Sequence, residues 1–410
     1  MAGLIRTIAG CLILALCAAG QPGPLPEQSA EVKIFEEIDS ILNELSEITG
    51  FKKIKPVRTS TMKRPELKGF FEKRIQEVVD PNEIRAEEIA LKKFGFVPDD
   101  FDLKSSTIDL MTEQAAAFYD YREKKLYLLE GGSEEMQQPA LVHELAHALA
   151  DQHFNLQKFV NPRRSDDSVL ARMSVVEGQA TWLMSEFMAR KLGQSLQESP
   201  AIVEMMSRAA EGMSAQFPVL NKVPLYLRET LLFPYGKGMV FQQAAITKMQ
   251  KDGFREVFRN PPVSTQQVLH PELYFRGTKP TTPSLPAYRK PAGYRVLNKG
   301  ALGELDHSIL IRQYAGREEA DRISPQIKGA TYELLESRDG KRFVLLYTSE
   351  WLDASTAKEY FRLYQRVLKG KWKSMELTED SPSRVSGQGD GGGFELRVEG
   401  SHVLSMEGLP

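Results

Sequence analysis

Three of the six histidines in this 410-residue chain lie in the eleven residues from His143 to His153. We expect this segment to be a helix that begins near Pro139, because proline suits the first turn of a helix. Residues four apart on an α-helix are turned only about 40° from each other. His143 and His147 therefore project from one face toward a common point, which predicts that they bind one metal ion.

Glu144 lies one step round the same helix. From there its carboxylate reaches a metal-bound water without occupying the metal, as a general base must. The only two cysteines, Cys11 and Cys17, precede the body of the chain, so histidine and carboxylate must hold any metal. A catalytic Zn2+ site has three protein ligands and one position open for water. The alternative is a purely structural helix, because so short a motif also arises by chance.

Two residues compete for the role of third ligand. Glu177 lies in the helical pattern 166–192 and has no cationic neighbour three or four residues away, so burying its carboxylate calls for a cation such as zinc. A partly exposed glutamate at a helix bend is the alternative interpretation. His153 comes six residues after His147, but Ala150 favours a continuing helix, on which His153 points away from the metal. We therefore expect Glu177 to be the ligand and His153 to be a helix-end or packing residue.

The segment 143–153, followed by Glu-Gly-Gln-Ala-Thr at 177–181, resembles the gluzincins, the thermolysin-like zinc peptidases whose third ligand is a downstream glutamate. It resembles more closely a family of exported zincin-like proteins that share the run His-Ala-Leu-Ala-Asp-Gln-His-Phe, here at 147–154. Segments 118–128, 231–235 and 264–271 are also similar to that family. The resemblance implies that His143, His147 and Glu177 hold zinc and that Glu144 acts as the base.

Supporting roles are expected for four further residues. Asp151, four residues after His147, faces the metal side and is suited to hold an imidazole, although a solvent-exposed carboxylate fits as well. Thr181 stands where thermolysin-like enzymes have an aspartate that orients the first histidine. Peptide hydrolysis also needs a hydrogen-bond donor to the oxyanion. Tyr235 and His270 are candidates for it, each in a polar stretch flanked by glycine or proline, and a structural role is the alternative for both.

The organisation along the chain predicts an α+β protein. A zincin-like catalytic domain is expected over 31–275, a Pro/Gly-rich linker over 276–296 and a smaller α+β domain over 297–410. A hairpin is predicted over 115–130, and its edge is suited to pair with an extended peptide if it is open. Another helix is predicted over 238–251.

Residues 1–20 have the pattern of a signal peptide: Arg6, then an apolar run, then small residues. The run is shorter than the ~20 residues that a transmembrane helix needs, so we expect no membrane span in the mature chain. This predicts an exported protein, periplasmic or extracellular. Neither Cys11 nor Cys17 fits a lipidation pattern well.

The charge balance and the site together define the expected partners. With 53 basic and 55 acidic residues, the chain lacks the positive excess that nucleic-acid binding requires. The expected partner is a peptide or protein substrate, and the sequence leaves its identity and the oligomeric state open. The alternative to a zinc metallopeptidase is a non-catalytic metal-binding or assembly protein of the cell envelope that keeps the zincin fold.

Overall fold

The computed structural model describes residues 13–16, 37–131, 134–160, 165–212 and 217–410. Within these residues the chain is a mixed α+β protein, as expected. The predicted signal peptide lies outside the described residues except for strand β1 (Ile13–Leu16). Among the described helices, none combines the length and the apolar character needed to cross a membrane.

The elements before the histidine motif are α1 (Ile38–Thr49), β2 (Arg58–Met62), α2 (Arg64–Val78), α3 (Pro81–Phe94), α4 (Leu103–Gln114), β3 (Ala115–Asp120) and β4 (Lys125–Leu129). The four strands form one sheet in the order β1-β3-β4-β2, with β2 parallel to β4 and the other pairs antiparallel. The predicted hairpin is confirmed. Its turn is closed by Asp120, whose carboxylate accepts hydrogen bonds from the amides of Arg122 and Glu123. The outer edge of β3 is paired with β1.

The helical layer that follows contains α5 (Glu134–Phe154), α6 (Leu156–Phe159), α7 (Asp166–Lys191), α8 (Pro200–Gly212), α9 (Pro218–Lys222), α10 (Leu225–Met249), α11 (Gly253–Arg259), α12 (Thr265–Leu269) and α13 (Pro271–Phe275). Helix α5 begins five residues earlier than predicted, so that Pro139 lies inside it. The proline removes only the hydrogen bond that its own nitrogen would give to the carbonyl one turn earlier. So close to the start of a long, well-packed helix, that loss is tolerated.

Helix α7 is the central helix of this layer, and it is buried on nearly all sides. It packs against α10 at a point where both helices carry glycine. A Cβ atom on Gly178 would lie 2.1 Å from the carbonyl carbon of Gly238, and one on Gly238 would lie 2.3 Å from the carbonyl oxygen of Ser174. The two backbones touch, and no side chain separates them.

The helix predicted over 238–251 is longer than expected, because α10 begins at Leu225 and runs through Pro234. Proline and glycine normally end a helix, since proline lacks an N–H and glycine loses backbone entropy. Here burial against α7 outweighs those local costs. Tyr235 consequently lies on a helix rather than in a loop.

The C-terminal part contains β5 (Tyr294–Ala301), α14 (Glu304–Ala315), α15 (Arg317–Ile323), β6 (Ile327–Ser337), β7 (Phe343–Trp351), α16 (Ala354–Lys371), β8 (Met375–Asp380), β9 (Arg384–Gly389), β10 (Gly392–Glu399) and β11 (His402–Leu409). The strands form an antiparallel sheet in the order β5-β6-β7-β11-β10-β9-β8. Phe94 of α3 packs edge-on against Tyr332 and Tyr347 of this sheet, with ring centroids 5.2 and 5.6 Å away. One apolar core thus joins both sides of the linker, and the division into domains stays a prediction.

The glycine contact gives a first test. Gly178→Ala is expected to lower the free energy of unfolding by about 3 kcal/mol, because the new methyl group forces two packed backbones apart. Gly69→Ala is the matched control: it also lies in a helix, and a Cβ atom there meets nothing within 4 Å. Alanine there should raise the free energy of unfolding by roughly 0.5–1 kcal/mol. Equal effects of the two substitutions in urea denaturation would contradict the contact.

Candidate metal centre

Helix α5 brings three polar side chains of the motif into the interior. His143, Glu144 and His147 are at most 2% exposed, and one ligand atom of each lies within 4.8 Å of the others. The two imidazole rings meet edge to face, with centroids 4.6 Å apart. The structure therefore confirms a buried cluster on one face of the helix that is able to hold a metal ion.

Helix α7 adds Glu177 to this cluster. One of its carboxylate oxygens, Oε2, lies 3.2 Å from Nε2 of His143 and 3.4 Å from Nε2 of His147. The side chain is 1% exposed. Glu144 and Glu177 both approach the imidazoles, but only Glu177 reaches them from a separate helix, as a third ligand would. Of these two acids, Glu177 stays the predicted ligand and Glu144 the predicted base.

Burial determines the charge of these groups. It lowers the pKa of His143 to about 3, and it holds the pKa of His147 well below the usual value, with repulsion from His143 as a second cause. It raises the pKa of Glu177 well above the usual range, although a hydrogen bond from Tyr235 opposes the rise. Burial thus favours the uncharged form of all three groups. A metal ion binds neutral imidazole and ionised carboxylate, so an ion held here would offset the cost of ionising Glu177.

The residues present fit a metal ion. Among the described residues, Nε2 of His147 and Oε1 of Glu177 have no hydrogen-bond partner. Buried polar atoms without a partner are costly and need a physical reason. Two imidazole nitrogens and one carboxylate form a donor set that suits divalent transition metals, zinc among them. A shared cation would give the imidazole nitrogen a partner and would neutralise the carboxylate.

Tyr235 approaches the same cluster from α10. Its hydroxyl donates a hydrogen bond to Glu177, and its ring stacks on His143 at a centroid distance of 6.1 Å. Burial raises the pKa of Tyr235 well above the usual value, and the nearby carboxylates of Glu177 and Glu144 raise it further. The phenol therefore stays protonated and remains a hydrogen-bond donor.

A cavity of about 690 Å³ opens beside the cluster, and His143, Thr181 and Tyr235 form part of its wall. The hydroxyl of Thr181 has no hydrogen-bond partner among the described residues. Thr181 lies one turn after Glu177 on α7, so both side chains are on the same side of the helix. A molecule bound in this cavity has access to the imidazole of His143 and to two hydroxyl groups.

Asp151 and His153 lie at the other end of α5, where they line a separate cavity. The carboxylate of Asp151 accepts hydrogen bonds from Tyr119 at 2.9 Å and from Lys124 at 2.6 Å. His153 contacts the carbonyl oxygen of Lys52 at 2.9 Å, and its ring packs on Phe51. In the described structure these contacts tie Asp151 to the hairpin and His153 to the segment after α1, rather than to the imidazoles of the motif.

His270 lies between α12 and α13. Its Nε2 atom is 2.9 Å from Glu304, and this hydrogen bond raises the pKa of His270 above the usual value. Glu304 lines the large cavity, whereas His270 is not part of the described wall. Of the two expected oxyanion donors, the structure brings only Tyr235 to the cluster.

Sequence reasoning missed the role of Gly238, which positions α10 beside α7. The sequence carries one sign of this contact, which is a glycine close to a polar site residue on each helix. Glu177 immediately precedes Gly178, and Tyr235 precedes Gly238 by three residues. One glycine contact therefore brings both side chains to the same place. Comparison of the chain with protein-family models, curated proteins and solved structures finds no match.

Metal binding by the purified chain tests this ligand assignment. Glu177→Ala should weaken zinc binding by at least ~100-fold, since loss of even a residue that only supports a ligand costs 10- to 100-fold. His153→Ala, on the same helix as His143 and His147, should leave the zinc affinity unchanged. Both are measured by competition with a chelating dye. The assignment is wrong if His153→Ala loses zinc while Glu177→Ala retains it.

Proposed function

We propose that this chain is an exported zinc metallopeptidase of the gluzincin type, which hydrolyses peptide bonds. The observation that most supports the proposal is the convergence of two imidazole nitrogens, at 3.2 and 3.4 Å, on one carboxylate oxygen of Glu177. His143, His147 and Glu177 would hold the ion. Zinc bound there polarises a carbonyl group and lowers the pKa of water toward ~7.

Glu144 is the proposed general base. It follows His143 directly and is fully buried, with a carboxylate oxygen within 4.8 Å of a nitrogen of each imidazole, which would bring it within reach of a water on the ion. It accepts a proton from that water and passes it to the amine that leaves. Both transfers need a carboxylate that is close to the ligands without being one of them.

Tyr235 is the proposed donor to the oxyanion. Its high pKa keeps the hydroxyl protonated, and it lies on the wall of the cavity that also exposes His143. Here the hydroxyl donates to Glu177, so orienting this ligand is its competing role. The two roles predict different effects of removing the hydroxyl.

Strand β3 is the proposed edge for an extended substrate. Its outer edge pairs with β1 in antiparallel register, with Ile13 opposite Tyr119. Residues of β1 belong to the predicted signal peptide, and its removal would open this edge to another extended segment. Tyr119 itself is buried and donates to Asp151, so the backbone of β3, rather than this ring, would contact the substrate.

Cleavage of casein by the zinc-loaded protein tests the reaction. Glu144→Gln should lower the rate about 10³-fold or more while stoichiometric zinc stays bound, because the amide cannot accept the proton. Glu204→Gln, an exposed position on α8, is the control for a change of one charge and should cleave as the wild type does. Zinc binding without turnover in the wild type would favour the non-catalytic envelope protein instead.

Removal of one hydroxyl separates the two roles of Tyr235. If it stabilises the oxyanion, Tyr235→Phe should lower kcat about 10²- to 10³-fold with little change in KM or in zinc content. Loss of zinc with kcat per bound ion preserved would instead make Tyr235 a residue that positions Glu177. Both quantities come from steady-state kinetics on protein of measured zinc content.

A further inference from the structure

The wall of the large cavity carries charged side chains from α10, α14 and α15 in addition to the metal centre. Its three acidic side chains each lie close to a basic side chain: Glu229 to Arg312 at 3.1 Å, Asp321 to Arg317 at 3.5 Å, and Glu304 to His270 at 2.9 Å. The acidic groups of this wall thus already have partners within the protein.

Arg228 differs from these residues. It lines the same cavity and is half-buried, yet no ion pair or side-chain hydrogen bond joins it to any of the described residues. A guanidinium group stays charged at all ordinary pH values, and its planar fork matches a carboxylate with two parallel hydrogen bonds. An arginine without a counter-ion in a concave wall is suited to bind an anion that comes from outside the chain.

The position of Arg228 on α10 relates it to the metal centre. Tyr235 comes seven residues after Arg228, so the two side chains lie within about 20° of each other round the helix and about 10 Å apart along it. Leu232, between them, also lines the cavity, so the wall from Arg228 to Tyr235 is continuous. An extended peptide advances ~3.4 Å per residue, so about three residues span this distance.

We propose that Arg228 binds a substrate carboxylate about three residues from the bond that is cleaved. The proposal rests on the proposed peptidase function and adds a substrate class to it. The carboxylate belongs either to an acidic side chain within the peptide or to its C-terminus. An acidic side chain would make the enzyme an endopeptidase with a preference for acidic sequences, whereas a terminal carboxylate would restrict cleavage to the end of a chain.

Matched peptides distinguish these sources. Once a cleaved bond in casein is mapped by mass spectrometry, peptides around it are made with glutamate or glutamine three residues away, and with a free or an amidated C-terminus. For one of the two pairs, the peptide with the carboxylate should have a kcat/KM roughly tenfold or more above that of its uncharged counterpart, as a charge-assisted hydrogen bond provides. In Arg228→Gln this ratio of the two kcat/KM values should fall to about one. In Arg228→Lys part of it should remain.

Arg208→Gln is the matched control, since Arg208 is exposed on α8 and is not part of the described cavity wall. It should keep the full ratio, and circular dichroism checks that every variant is folded. A ratio near one in the wild type, or an unchanged ratio in Arg228→Gln, would overturn the role of Arg228.

A binding measurement keeps this test independent of turnover. Fluorescein-labelled, alanine-rich octapeptides with one glutamate or one glutamine, and with a free or amidated C-terminus, are titrated with the Glu144→Gln protein and followed by anisotropy. Tighter binding of one carboxylate form, lost on adding Arg228→Gln, supports the proposal even if no peptide is cleaved. In that case only the peptidase function fails. Equal affinity for all forms would refute carboxylate recognition.

Discussion

The backbone contact between Gly178 and Gly238 sets the position of the other parts of the site. Because neither residue has a side chain, α7 and α10 touch directly, so closely that a Cβ atom on Gly178 would lie 2.1 Å from the opposing carbonyl carbon. Glu177 and Tyr235 lie next to this contact on their own helices, so helix packing brings the acid and the phenol together. The same packing excludes water, and burial then raises the pKa of both groups. The shifted pKa values of Glu177 and Tyr235 are thus a consequence of helix packing.

Two buried glutamates on α7 show how differently a carboxylate can be accommodated. Glu186 is fully buried, but it accepts hydrogen bonds from Arg190 at 2.8 Å, from the hydroxyl of Ser195 at 3.0 Å and from the amide of Leu196 at 2.7 Å. Its charge is compensated by the protein itself. Glu177 faces two imidazoles that burial keeps neutral, so its ionised form lacks a protein cation. Of the two, Glu177 is the one whose charged form a cation from solution would stabilise.

Much of this site follows from sequence periodicity, and the rest depends on tertiary contacts. His143 and His147 lie on one face because they are four residues apart on a helix with about 3.6 residues per turn. For Asp151 the same repeat indicated the metal side, but Lys124 in the turn of the hairpin and the amide of Leu156 use its carboxylate instead. Those partners are distant in sequence or lie beyond the end of the helix, where periodicity carries no information. Helix α10 extends beyond the predicted range 238–251 for a related reason, because packing against α7 outweighs the local cost of Pro234 and of the glycines around it.

The cavity beside the candidate metal centre draws its wall from both sides of the predicted linker. His143 comes from α5 and Tyr235 from α10, whereas Glu304 and Arg312 come from α14 in the C-terminal part. The pair between Arg312 and Glu229 crosses from α14 to α10, one residue beyond Arg228. Because Arg312 pairs with Glu229, that carboxylate has a partner other than the adjacent Arg228. The C-terminal part thereby influences which charged groups a molecule in the cavity meets.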